Sequence, residues 1–103
     1  NKRYAGFFVK DKFRLNQWGR LKIRQALYIK KIEEETIREA LQSIDDSEYE
    51  ELLLKLIRNK NKELKDNDPY LKKGKLFRFA AQKGFEPQLI YNAIDKIFKG
   101  HDY

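Results

Sequence analysis

The side chains of this chain best suited to act on a partner are basic, and they gather in two places. Arg20, Lys22, Arg24, Lys30 and Lys31 crowd one short stretch, and Lys72, Lys73, Lys75 and Arg78 crowd another. Fixed positive charge at this density attracts phosphates and carboxylates, so it draws nucleic acid or an acidic protein surface without making or breaking a bond. A single Lys or Arg most often just solvates a helix surface; two dense groups favour binding. Arg20 and Arg24 also lie close to Ile23 and Leu27, so their aliphatic stems are expected to pack on the core. Trp18 is a candidate to stack on a base, as aromatics do in single-strand binders. A lone Trp in a turn more often fills a gap between helices, and that is the role expected of it.

Bond-making chemistry lacks its parts. The chain has no Cys, and its one histidine is His101, near the C-terminal end. Nucleophilic triads and the common zinc sites cannot be assembled from that stock, and no Gly-rich phosphate loop is present. The acidic run Asp45, Asp46, Glu48, Glu50 and Glu51 lacks the spaced ligands and central glycine of a calcium loop. No enzyme, no metal site and no cofactor are expected. The absence of Cys fits a reducing cytoplasm, which is the expected location. Leu52-Leu53-Leu54, the longest aliphatic run, falls far short of the roughly 20 residues that cross a bilayer. The chain opens on Asn1 and holds no Met, so a longer native N-terminus is expected.

Net charge is +7 over 103 residues, and its distribution is uneven. Residues 1–31 carry ten Lys and Arg against Asp11 alone, whereas residues 32–51 carry nine Asp and Glu against Arg38 alone. Residues 52–103 return to twelve basic against six acidic groups. An acidic block thus separates two basic ones, a pattern suited to nucleic acid or to an acidic protein surface lying along it.

The elements that must position these charges are helices. Tyr4, Phe7, Phe8 and Leu15 suggest one apolar side of a helix over about 2–15, with Lys10 and Lys12 on the other. After a turn over Asn16 to Gly19, a second helix is predicted from about Arg20 to Lys30. A third follows over about Glu34 to Ile44, with Ile37, Ala40, Leu41 and Ile44 inward and three Glu at its positive end. Ser47 and Glu50 have capping-box spacing and predict the start of a fourth helix, with Tyr49, Leu52, Leu53, Leu56, Ile57 and Leu64 on one face. Asp68-Pro69 predicts the start of a fifth helix, which Gly84 closes near Lys83. A sixth, after Pro87, carries Leu89, Ile90, Ala93, Ile94, Ile97 and Phe98 inward, and the tail from Gly100 to Tyr103 is expected to fray.

The stretch from Ile23 to Ile44 recurs 53 residues later as Leu76 to Ile97, with Lys30, Glu33, Ile37 and Ala40 returning as Lys83, Glu86, Ile90 and Ala93. The fold class predicted is therefore all-α, two tandem three-helix repeats in an elongated array that offers an extended binding surface.

At this point the residues resemble the RecX family. Leu27-Tyr28-Ile29-Lys30-Lys31-Ile32 with Ile37 and Leu41, and more closely Lys75 to Pro87, are similar to that family's repeat signature, in which a helix ending in Lys-Gly leads into an amphipathic one. Trp18 to Arg24 is similar to the basic entry of its middle repeat, although Lys31 stands where the signature has glycine. The resemblance covers nearly the whole chain. It implies a family middle repeat over residues 1–45, a C-terminal repeat over residues 46–103, and a first repeat outside this sequence. It also implies a regulatory protein of DNA repair, recombination and the SOS response that binds the RecA filament on single-stranded DNA and inhibits recombinase and ATPase activity. The two basic clusters would then be its recombinase or DNA contacts. The alternative is an independent helical DNA-binding module with no recombinase partner. The helices that would enter a major groove, Glu34 to Ile44 and Pro87 to Lys99, are too weakly basic to favour it.

Overall fold

A computed structural model describes residues 2–99 of the chain. Six helices run in order: α1 Lys2–Arg14, α2 Arg20–Ile29, α3 Glu34–Gln42, α4 Asp46–Glu63, α5 Pro69–Gln82 and α6 Pro87–Lys99. No strand occurs among the described residues. The expected frayed tail, with His101, lies outside them.

Helices α1–α3 pack together as one unit and α4–α6 as a second. Ile23, Leu27 and Ile37 are fully buried in the first, as are Leu76 and Ile90 in the second. Each such side chain contributes about 1.5–3 kcal/mol relative to exposure. The predicted stripe of α1 is corrected: Ala5, Val9 and Phe13 form its buried face. Phe7 and Leu15 are 62% and 78% exposed, and Tyr4 is exposed too. The large aromatic side chains suggested the wrong face. Small Ala5 and Val9, four residues apart, let α1 lie close against α3. The cap of α4 also moves. Asp45 caps the helix by accepting a 2.9 Å hydrogen bond from the Glu48 N–H, so helix begins before the predicted Ser47.

Both units close their second helix in the same way. The Ile32 N–H donates to the Leu27 carbonyl and the Phe85 N–H to the Ala80 carbonyl, each at 3.2 Å. The Lys31 and Gly84 N–H groups complete the paired bonds of a Schellman ending, to Tyr28 and Ala81. Gly84 has φ 96° and Lys31 φ 65°, so the first unit forms its left-handed corner with a lysine.

The corner of the second unit is also the joint between the units. The Gly19 N–H donates to the Lys83 carbonyl at 2.7 Å, and the Leu21 N–H donates to the Gly84 carbonyl at 2.9 Å. The Arg20 N–H donates to the Tyr49 hydroxyl at 2.8 Å. Three N–H groups at the start of α2, which have no partner inside their own helix, are thereby satisfied by the second unit. Both glycines are needed for this approach. A Cβ on Gly19 would lie 2.4 Å from the Gly84 carbonyl carbon, and one on Gly84 would lie 2.3 Å from the Lys22 Cβ. Phe13, Tyr49 and Phe85 stack across the joint with ring centroids 5.8 and 5.1 Å apart. The result is a rod 48 × 23 × 21 Å.

Candidate functional site

The first basic cluster lies on α2 and the corner that follows it, and its members fare differently. Arg20 turns into the joint, with its side chain 22% exposed. Its guanidinium donates to Glu86 at 3.0 Å and to Asp46 at 2.7 Å, and it sits 3.9 Å above the Tyr49 ring centroid. The Tyr49 hydroxyl in turn donates to Glu86. Burial, and then the bond to that carboxylate, pushes the Tyr49 hydroxyl well above the usual tyrosine range, so it stays neutral. Arg24 pairs with Glu34. Two cations of the cluster are thus engaged inside the protein.

Lys22 and Lys30 point to a different surface. The Lys22 ammonium lies 4.6 Å from the Trp18 ring centroid and that of Lys30 lies 5.8 Å from Phe8. Lys12 of α1 reaches both rings, at 5.4 Å from Phe8 and 5.0 Å from Trp18. Three lysines therefore gather around two half-buried rings, forming a basic and aromatic face built by α1 and α2. Lys12 was assigned only to the polar face of α1 by sequence. The i, i+4 spacing of Phe8 and Lys12 is the signal that places it here. Trp18 is half-buried against the core and also carries two of these lysines. Lys31 is exposed at the left-handed corner.

In the second cluster, Lys75 bonds Asp66 at 2.7 Å, and that hydrogen bond holds the Asp66 carboxyl below the usual carboxylate range. The Lys73 ammonium lies 5.2 Å from the Phe98 ring centroid. Arg78 is exposed and has no carboxylate partner among the described residues, and Lys72 is half-buried on the same helix. The structure thus leaves Lys22, Lys30, Lys31, Lys72, Lys73 and Arg78 available to a partner. It pairs Arg20, Arg24 and Lys75 with carboxylates of the same chain, Arg20 within the joint and the other two at the surface.

Two grooves flank these cations. One, of about 580 Å³, is lined by Arg20, Arg24, Arg38 and Leu41 together with Asp45 and Asp46. The other, of about 430 Å³, lies between α5 and α6 and is lined by Tyr70, Gly74, Phe77, Arg78 and Tyr91. Among the described residues no group of three or more His, Cys, Asp or Glu side chains is placed to hold a metal ion. No helix among them is long and apolar enough to cross a membrane.

Comparison with known proteins agrees with this architecture. A family model described as the second three-helix domain of RecX matches residues 2–41, and one described as its third three-helix domain matches residues 47–94. A protein named Regulatory protein RecX from Clostridium perfringens (strain 13 / Type A) is 35% identical over 88 residues, covering 84% of this chain and 41% of its own length. Those of the same name from Clostridium botulinum (strain Eklund 17B / Type B) and Chlorobium phaeobacteroides (strain BS1) are 35% and 34% identical over 96 residues. They cover 91% and 93% of this chain, and 44% and 61% of their own lengths. The chain therefore spans only part of the curated relatives it matches. No solved structure matches it.

Proposed function

Given that this chain belongs to the RecX family, we propose that it is a regulatory protein that binds the RecA-type recombinase filament on single-stranded DNA and restrains its ATPase. Family relatives carry the name Regulatory protein RecX, which supports the regulatory half of this reading. The partner half rests on one observation. Basic helices α2 and α5 hold equivalent places, 53 residues apart, in a rod 48 Å long. A filament presents phosphates and acidic side chains at repeating intervals, and a rod with repeated positive helices meets it at more than one point. The units divide near residues 45 and 46, and each supplies one contact. In the first unit the contact is the face formed by Lys12, Lys22 and Lys30. In the second it is Lys72, Lys73 and Arg78. The protein acts by occupying the filament, with no reaction of its own.

The test is recombinase ATPase on single-stranded DNA with this chain titrated in at fixed salt, alongside its binding to naked strands. Inhibition at concentrations where the naked strand stays unbound supports filament-directed regulation. Binding to naked strands without inhibition, lost at moderate salt, supports instead a DNA-binding module without a recombinase partner. Lys22→Glu with Lys30→Glu is expected to weaken inhibition about tenfold or more with helicity unchanged by circular dichroism. Unaltered inhibition would remove the α1–α2 face from the contact.

A further inference from the structure

The two grooves are copies of one site. Adding 53 to Arg20, Arg24, Arg38, Leu41 and Gln42 of the first gives Lys73, Phe77, Tyr91, Ile94 and Asp95 of the second, so three arginines of one groove are a lysine and two aromatic rings in the other. In the first unit the chain's own acidic turn lines the groove, and its Asp46 bonds Arg20. In the second unit no carboxylate pairs with Lys73 or Arg78 among the described residues. Asp95 is the acid on its wall, and no ion pair joins it to either cation there.

Three further observations concern the same groove. Tyr70 is 82% exposed and Tyr91 55%, an unusual outlay of aromatic surface to water on one small face. Gly74 lies inside α5, where glycine weakens a helix relative to alanine. Nothing within the protein requires it, since a Cβ there would meet only the Arg78 guanidinium, at 3.9 Å. The bare backbone of Gly74 leaves room in the groove wall for a group that comes from outside. Phe77 and Tyr91 stack on each other at 4.8 Å and 27°, which takes up one face of each ring and leaves fewer for a run of bases.

From this we infer that the α5–α6 groove binds an acidic polypeptide segment of a protein partner. An apolar or aromatic side chain of the segment rests on Gly74 between Tyr70 and Tyr91, and its flanking carboxylates pair with Lys73 and Arg78. This is the arrangement that Asp46 and Arg20 already make in the first unit, supplied from outside instead of by the next turn of the chain. That the segment belongs to the recombinase rests on the function proposed above; the groove's preference for acidic peptide does not.

The experiment is an amide NMR titration of the full chain with three probes: a short blocked peptide rich in Asp and Glu around one Phe, the same peptide with Asn and Gln for the acids, and oligo-dT of similar length. The acidic peptide is expected to shift Gly74, Phe77 and Tyr91, and the neutral one to bind more weakly. Gly74→Leu and Arg78→Gln install the residues that the first unit carries at these places, so the helix tolerates them, which circular dichroism checks. Each is expected to weaken peptide binding about tenfold. Equal affinity in both variants, no shift with the acidic peptide, or shifts from oligo-dT in place of peptide would overturn the inference. Recombinase inhibition by the same variants separates the two readings. If wild type and variants inhibit equally, the groove with its Arg78 is not the recombinase contact, and filament-directed regulation then rests on the α1–α2 face. If wild type does not inhibit, the proposed function falls and the peptide titration still decides the groove.

Discussion

Gly84 and Lys31 share a left-handed backbone, yet only Gly84 is also pressed against another part of the chain. A non-glycine residue in that conformation costs about 1–2 kcal/mol, while glycine loses about 0.5–1 kcal/mol of extra backbone entropy on folding. Lys31→Gly is therefore expected to stabilise the protein by about 0.5–1 kcal/mol, seen as a melting temperature several degrees higher. Gly84→Ala is expected to cost about 2–5 kcal/mol, since strain adds to collision with the Lys22 backbone. Equal melting temperatures for wild type and Gly84→Ala would refute the close approach. Tyr49 supplies a pH test. Its folded hydroxyl is held above the ordinary value near 10. Its contribution is thus complete below that value and falls as pH rises beyond it, where unfolded tyrosine ionises and the buried one does not. Tyr49→Phe is expected to flatten the loss of denaturant stability between about pH 9 and about pH 11; an equally steep loss would mean the hydroxyl is not held neutral. Gly84 was readable because glycine after a helix has one common use. The partners of Arg20 were not, since Glu86 lies 66 residues away and only folding brings it to 3.0 Å.

Among the helices, α5 followed most directly from sequence, because Asp68-Pro69 marks its start and Gly84 its end. The Asp68 side chain accepts from the Tyr70 N–H at 2.9 Å, as an N-cap should. The start of α4 misled because two overlapping capping patterns compete there, Asp45 with Glu48 and Ser47 with Glu50, and the choice depends on how the chain leaves α3. Asp45→Ala is expected to destabilise by about 1 kcal/mol and Ser47→Ala by much less; the reverse order in thermal melts would return the cap to Ser47. Helix α1 misled for a different reason. Hydrophobic size drew attention to Tyr4 and Phe7, whereas close packing against α3 selects the small side chains Ala5 and Val9. The face that α1 builds with Lys12 was hidden by the same misassignment. The basic cluster on α2 was visible from composition alone, but its division into internal and outward cations depends on tertiary contacts with Asp46, Glu34 and Glu86.

At the scale of the whole molecule, the two units meet through one small joint and no helix backbone of one runs close beside one of the other among the described residues. Gly19→Ala drives a Cβ into the Gly84 carbonyl, so it is expected to separate the melting of the two units into two calorimetric transitions. A single sharp transition at the wild-type temperature would mean the joint yields without loss. The repeat itself was legible in the 53-residue recurrence, while the joint was not, because its bonds are made by main-chain groups common to every residue. That joint also bears on self-association. A contact in which the start of one unit's second helix meets the closing corner of the next is head-to-tail, and a head-to-tail contact that does not close generates fibres. The positions equivalent to Gly19 and Gly84 in the other unit are Lys72 and Lys31. Each puts a side chain where the internal joint tolerates none, and the two lysines would bring like charges together. The two glycines that let these units lock are thus lysines at the equivalent positions, so Lys72 and Lys31 do not offer a second copy of these units the same close contact.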